Sequence, residues 1–97
     1  MNPLKVFCVS FISSLKSKVK KIRKFDDFSE FFDQVFGIIH EKYPIPEVLI
    51  EMLTELSPIL HRYLVFFESK KYDEEKLALK FQREVLPVLE KYVKMVD

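Results

Sequence analysis

Residues 46–70 read PEVLIEMLTELSPILHRYLVFFESK, and the spacing of the apolar residues in this stretch decides the fold class. Leu49, Leu53, Leu56, Leu60, Leu64 and Phe67 recur every three or four residues, the period of one face of an α-helix. The phase runs through Ser57-Pro58 without a break. An internal proline removes one backbone donor and crowds the carbonyl four residues before it, so an unbroken phase predicts one kinked helix here. A new helix capped by Ser57 is the alternative.

The same period extends in both directions. Downstream, Asp73 is a suitable N-cap, and Glu74 and Glu75 sit where the helix dipole favours anions. Leu77, Phe81, Val85, Val88, Tyr92 and Met95 then form a stripe that continues past Pro87, again predicting a kink. Upstream, Tyr43-Pro44-Ile45-Pro46 ends the preceding helix, because a residue before proline is pushed out of the α region. That second helix opens at Asp26-Asp27, with Asp27 and Glu30 as an N-cap pair, and carries Phe28, Phe32, Val35 and Ile39, thickened by Phe31, Phe36 and Ile38. The first helix runs from Pro3 to Lys24 on the stripe Leu4, Cys8, Phe11, Leu15, Val19 and Ile22. One glycine, and no Asn-Gly or Asp-Gly pair, leaves little material for hairpins. The expectation is an all-α chain, an antiparallel four-helix bundle with helices at about 3–24, 27–43, 46–70 and 74–96.

Ninety-seven residues, 48% of them apolar and ten of them Phe, suit one helical domain spanning 1–97 with a core of its own. A lone cysteine, Cys8, excludes an internal disulfide framework and fits a reducing, cytoplasmic setting. The apolar run from Val6 to Ile12 is short and leads directly into lysines, whereas a secretory signal keeps its charge ahead of the apolar region.

Charge is distributed in a step. Residues 1–24 carry Lys5, Lys16, Lys18, Lys20, Lys21, Arg23 and Lys24 and no acid, a formal +7, while residues 25–97 carry a formal −6. Lys16, Lys20, Lys21, Arg23 and Lys24 fall opposite the apolar stripe of helix one, where they would meet phosphates of nucleic acid, anionic lipid or an acidic protein surface. A solvated helix carries such a face too, so the face names no partner. Val6, Phe7 and Val9 are apolar on the side of that helix that becomes polar further along. A bundle buries one stripe per helix, so this start calls for a second covering, by a partner subunit, a membrane interface or another part of the chain. Glu47, Glu51 and Glu55 make an uninterrupted acidic row on helix three, expected to face solvent or the basic face of a neighbouring copy.

Catalytic signatures are missing. His40 and His61 lack the Glu-x-x-His pairing of bundle di-iron sites, zinc-ligand spacing is absent, and one glycine builds no phosphate-cradling loop. Cys8 sits in an apolar stripe with no base beside it. A helix-turn-helix can be laid over Gln34 to Leu56 with Lys42-Tyr43-Pro44-Ile45 as the turn, but its second helix would offer Glu47, Glu51 and Glu55 to the DNA. The first reading is a non-enzymatic, cofactor-free interaction protein that self-associates or docks on a protein partner through its N-terminal helix. The second is a non-specific nucleic-acid-binding protein using the basic face. Peripheral attachment to a membrane surface is the third.

Overall fold

A computed structural model describes residues 2–41 and 44–96, and all four expected helices are present. They are α1 (Pro3–Val19), α2 (Phe25–Gly37), α3 (Glu47–Ser69) and α4 (Glu74–Val96), with one 3-10 turn at Ile38–His40. Each helix packs on its neighbour in a ring, α1 on α2, α2 on α3, α3 on α4 and α4 on α1. Asn2, Leu4, Pro46, Val48 and Val96 line one hollow, so the starts of α1 and α3 and the end of α4 share one end of the bundle. We call this the terminal end. The α1–α2 and α3–α4 connections lie at the other, the turn end.

Both prolines lie inside continuous helices, Pro58 within α3 and Pro87 within α4. Each withdraws the amide that would have bonded a carbonyl one turn back, on Thr54 and Arg83 respectively. Polar side chains gather around the first gap. The Thr54 hydroxyl donates to the Ile50 carbonyl at 2.8 Å, and His61 Nδ1 lies 2.8 Å from the Ser57 carbonyl oxygen.

Helix one is shorter than its periodicity predicts. It ends at Val19, and the chain tightens through i→i+3 bonds from Lys21 to Lys18 and from Ile22 to Val19. The reason is the reversal itself. Because α2 begins at Phe25, residues 20–24 are all the chain has to turn back on α1, and turning there buries Ile22. Lys24 is extended, and Asp27 caps from inside the first turn, its carboxylate accepting from the amides of Arg23 at 3.0 Å and Lys24 at 3.3 Å. Glu74, brought across from α4, accepts from the Phe25 amide at 2.8 Å, so the expected Asp27–Glu30 cap gives way to an Asp27–Glu74 one. Asp73 caps α4 as expected, accepting from the Lys76 amide at 3.0 Å.

Helix two is shorter too. Gly37 ends it well before Pro44, and the single 3-10 turn buries Ile38 while leaving Ile39 exposed. The expected helical residues Lys42 and Tyr43 lie outside the described residues. The core stripes shift accordingly. In α1, Ile12 is buried while Leu4 is exposed and Phe11 half-buried; in α4, Leu89 is buried while Val88 is half-buried and Met95 exposed. Phe81 is the hub where α2, α3 and α4 meet, with ring centroids 5.1 Å from Phe28, 5.8 Å from Phe31 and 5.1 Å from Tyr63.

Thirteen residues of α2 span about 20 Å against about 34 Å for the 23 of α3. Helix two starts beside the α3–α4 connection, where Phe25 meets Phe67 at 5.9 Å, and ends near Leu53 and Pro58. Only the turn half of the bundle is therefore four helices thick.

The backbone has its glycine where none is required and lacks one where it would fit. Gly37 is right-handed helical with nothing within 4 Å of an added Cβ, whereas Lys70, which closes α3, is left-handed at φ 58°. Gly37→Ala and Lys70→Gly should each raise the unfolding free energy by about 0.5–1 kcal/mol. Urea denaturation of the two variants checks this, with a shift to lower midpoint at either position as the contrary outcome.

Candidate functional site

The terminal end carries the apolar surface that α2 leaves uncovered. Leu4, Val6 and Phe7 are 55%, 43% and 45% exposed, and Phe7 stacks on Phe11 at a centroid distance of 6.2 Å. Val9, grouped with them by sequence, is half-buried. Leu4 shares its hollow with Pro46, Val48 and Met95, while Ile39 and Ile50 share another with Phe36, Ile45 and Leu53. Among the described residues, six of the nine exposed large apolar side chains, Leu4, Val6, Phe7, Ile39, Ile50 and Met95, thus belong to this half.

The lysines occupy the opposite end. Because α1 stops at Val19, the expected basic face is not one helical face: Lys16 stays on the helix, while Lys20, Lys21, Arg23 and Lys24 belong to the connection. Arg23, though exposed, folds back on the turn, its Nη1 donating to the carbonyls of Lys20 at 3.0 Å and Ile22 at 2.9 Å, so its guanidinium serves the turn. Gln82 of α4 completes this arrangement, its Nε2 donating to the Ile22 carbonyl at 2.8 Å. Among the described residues, Lys16, Lys20, Lys21 and Lys24 form no ion pair.

The acidic row is divided as well. Glu47 and Glu51 face solvent, but Glu55 is held by α4, accepting from Lys91 Nζ at 2.7 and 2.6 Å and from Tyr92 Oη at 2.8 Å. The drift of a 3.6-residue helix carries the third glutamate of the row round to the α4 side. A second clasp mirrors the first further along the seam. Glu84 of α4 accepts from Arg62 Nη2 at 2.5 Å and from the Tyr63 hydroxyl of α3.

These clasps expose a relation that periodicity alone passes over. Glu55 and Glu84, Pro58 and Pro87, Leu60 and Leu89, and Tyr63 and Tyr92 are each 29 residues apart, with Arg62 matched by Lys91. The segment ELSPILHRYLV of α3 recurs in α4 as EVLPVLEKYVK. Burial follows the same offset: Met52 and Phe81, Leu56 and Val85, Leu60 and Leu89 are all 0% exposed, and both prolines are exposed. The signal was available as a Glu-x-x-Pro-x-Leu-x-basic-Tyr string present twice.

Burial pushes the Cys8 thiol pKa up, which lowers its thiolate fraction. Among the described residues no three His, Cys, Asp or Glu side chains come together as a metal site, and no helix is long and apolar enough to cross a membrane. No model of a known protein family matches the chain, and no curated protein or solved structure does either.

The clasps make stability depend on pH at both extremes. Hydrogen bonds from Lys91 and Tyr92 hold the Glu55 carboxyl below its ordinary range, and bonds from Tyr63 and Arg62 do the same for Glu84. Burial, then the bond to Glu55, pushes Tyr92 up to about 12; burial and Glu84 raise Tyr63 as well. A depressed carboxyl stabilises the fold above its unfolded pKa of about 4.3 and loses that contribution as the pH falls through its folded value. A raised phenol stabilises below about 10 and loses its contribution as the pH rises toward its folded value. Urea midpoints should therefore be level between about pH 5 and 8 and decline on both sides, the raised Cys8 thiol opening the alkaline limb and the two phenols steepening it above about 9.5. Tyr92→Phe should cost about 1 kcal/mol at neutral pH and make the alkaline decline shallower. An alkaline limb unchanged in the variant would contradict the assignment.

Proposed function

We propose that this chain is a non-enzymatic helical interaction protein that self-associates through its terminal end, with the first turns of α1 at the centre of the contact. One observation carries the reading: the large exposed apolar side chains concentrate on the half of the bundle that α2 does not cover. Apolar area on one patch is what association removes from water, at about 25 cal/mol per Å². Val6 and Phe7 are exposed neighbours on α1, while Leu4 lies round the helix from Val6 in the hollow beside Met95, so a second copy that covers all three wraps the start of α1. The self-complementary contact of a two-fold dimer needs only one such patch per chain.

Light scattering after size-exclusion chromatography tests this. The wild type should run as a dimer or larger at micromolar concentration, and Val6→Lys with Phe7→Lys should give a monomer of unchanged helicity, since both side chains are exposed in the single chain. A wild type that is already monomeric defeats self-association through this surface.

A second reading rests on the turn end, where, among the described residues, Lys16, Lys20, Lys21 and Lys24 form no ion pair, although Asp26, Glu68 and Glu74 share a hollow with Lys24. Such a cluster suits phosphate contact with little sequence preference, because positive charge reads the backbone and not the bases. Nucleic-acid binding through it should weaken steeply with salt, and replacing Lys20, Lys21 and Lys24 by Glu should abolish it without loss of helicity. Absence of retention at about 50 mM salt, where counterion release is strongest, would remove this reading.

A further inference from the structure

The α3–α4 seam has the contact pattern of a symmetric dimer built within one chain. In a two-fold interface residue i of one subunit meets residue j of the other, and j meets i. Here Glu55 meets Lys91 and Tyr92, while their counterparts Arg62 and Tyr63 meet Glu84, the counterpart of Glu55. The register places the two-fold at the level of Ile59 and Val88, which occupy equivalent, half-buried positions 29 residues apart. Each helix therefore carries both halves of the recognition chemistry: a carboxylate and, two turns later, the cation and phenol that bind it.

We propose that a second copy of this chain is a partner for this seam, taken up by exchange of α4 between two molecules. Exchange keeps every α3–α4 contact and changes only the connection. That connection is suited to opening. Lys70, Lys71, Tyr72 and Asp73 are all exposed, contain no glycine or proline, and begin with a left-handed lysine whose strain disappears when the chain straightens. The last turn of α4 carries Met95 and Val96 into the terminal end, so the exchange is read apart from association there only with that end silenced.

Charge complementation tests it in the Val6→Lys, Phe7→Lys background, which silences the terminal end. Glu55→Lys and Lys91→Glu each place like charges across one clasp, at sites 37% and 50% exposed, and leave the Arg62–Glu84–Tyr63 clasp intact to hold the register. When the two variants are unfolded and refolded together, an exchanged heterodimer sets the introduced lysine against the introduced glutamate. It also sets the native Glu55 of one chain against the native Lys91 of the other. Native mass spectrometry should show a 1:1 dimer in the mixture enriched about ten-fold over the dimer of either variant alone, the factor for relieving two like-charge contacts and restoring two surface pairs. Arg62→Glu with Glu84→Arg gives the same test on the other clasp should a first-clasp variant fail to fold. Lys70→Gly, which removes the hinge strain from the closed form, should lower the dimer fraction. Mixtures that contain no more dimer than the separate variants would overturn the proposal.

Discussion

The antiparallel pairing of α3 with α4 is the constraint from which the rest of the structure follows. These two helices, 23 residues each, run the length of the bundle, and α1 and α2 are laid against them. Their facing stripes bury Leu49, Met52, Leu56 and Leu60 against Ala78, Phe81, Val85 and Leu89, all fully inaccessible. Clasps at two levels then fix the register, since sliding one helix by a turn would separate each carboxylate from its phenol. Both prolines are exposed, as are Thr54 and Arg83, so the carbonyls that lose an amide partner lie on the solvent side, where water replaces it. This is why two prolines are tolerated in the two helices on which the fold most depends.

The short α2 sets the character of the surface. Its phenylalanines fill the turn half, where Phe28 lies 4.8 Å from Phe67 and Phe32 and Phe36 flank His61 at 5.5 and 5.6 Å. Beyond Gly37 the described residues before α3 add only the 3-10 turn at Ile38–His40 to lay over α1 and α3. The result is a molecule with two dissimilar ends, one apolar with Glu47 and Glu51 nearby, the other carrying Lys16, Lys20, Lys21 and Lys24, which form no ion pair among the described residues, with Asp26, Glu68 and Glu74 close to Lys24. The proposed association by burial and the alternative contact by charge would therefore use opposite ends.

Helix type, number and order were legible in the sequence because each helix contributes a stripe with a 3.6-residue period, and the stripe depends only on local spacing. Asp73 as a cap and the passage of α3 and α4 through their prolines were legible for the same reason. The ends of α1 and α2 were not. Apolar phase continues through Ile22 and through Ile38, yet the helix stops before both, because the chain must turn back within 20–24 and tightens after Gly37. Periodicity reports that a residue is buried, and a buried residue in a turn looks the same as one in a helix.

The functional candidates divide along the same line. Exposure of Val6 and Phe7 followed from sequence, since no intrahelical stripe could include them. Arg23 and Glu55 did not follow, because their roles come from groups distant along the chain or from backbone made available by a turn: Arg23 binds carbonyls freed by the end of α1, and Glu55 binds side chains 36 and 37 residues away. The repeat itself is written in the sequence, as a matched Glu, Pro, Leu and Tyr at one offset. What it means for the molecule was decided only by tertiary structure. Whether two similar helices lie side by side, cross, or stay apart depends on which faces pack, and only antiparallel packing at this register turns a repeated string into two reciprocal clasps.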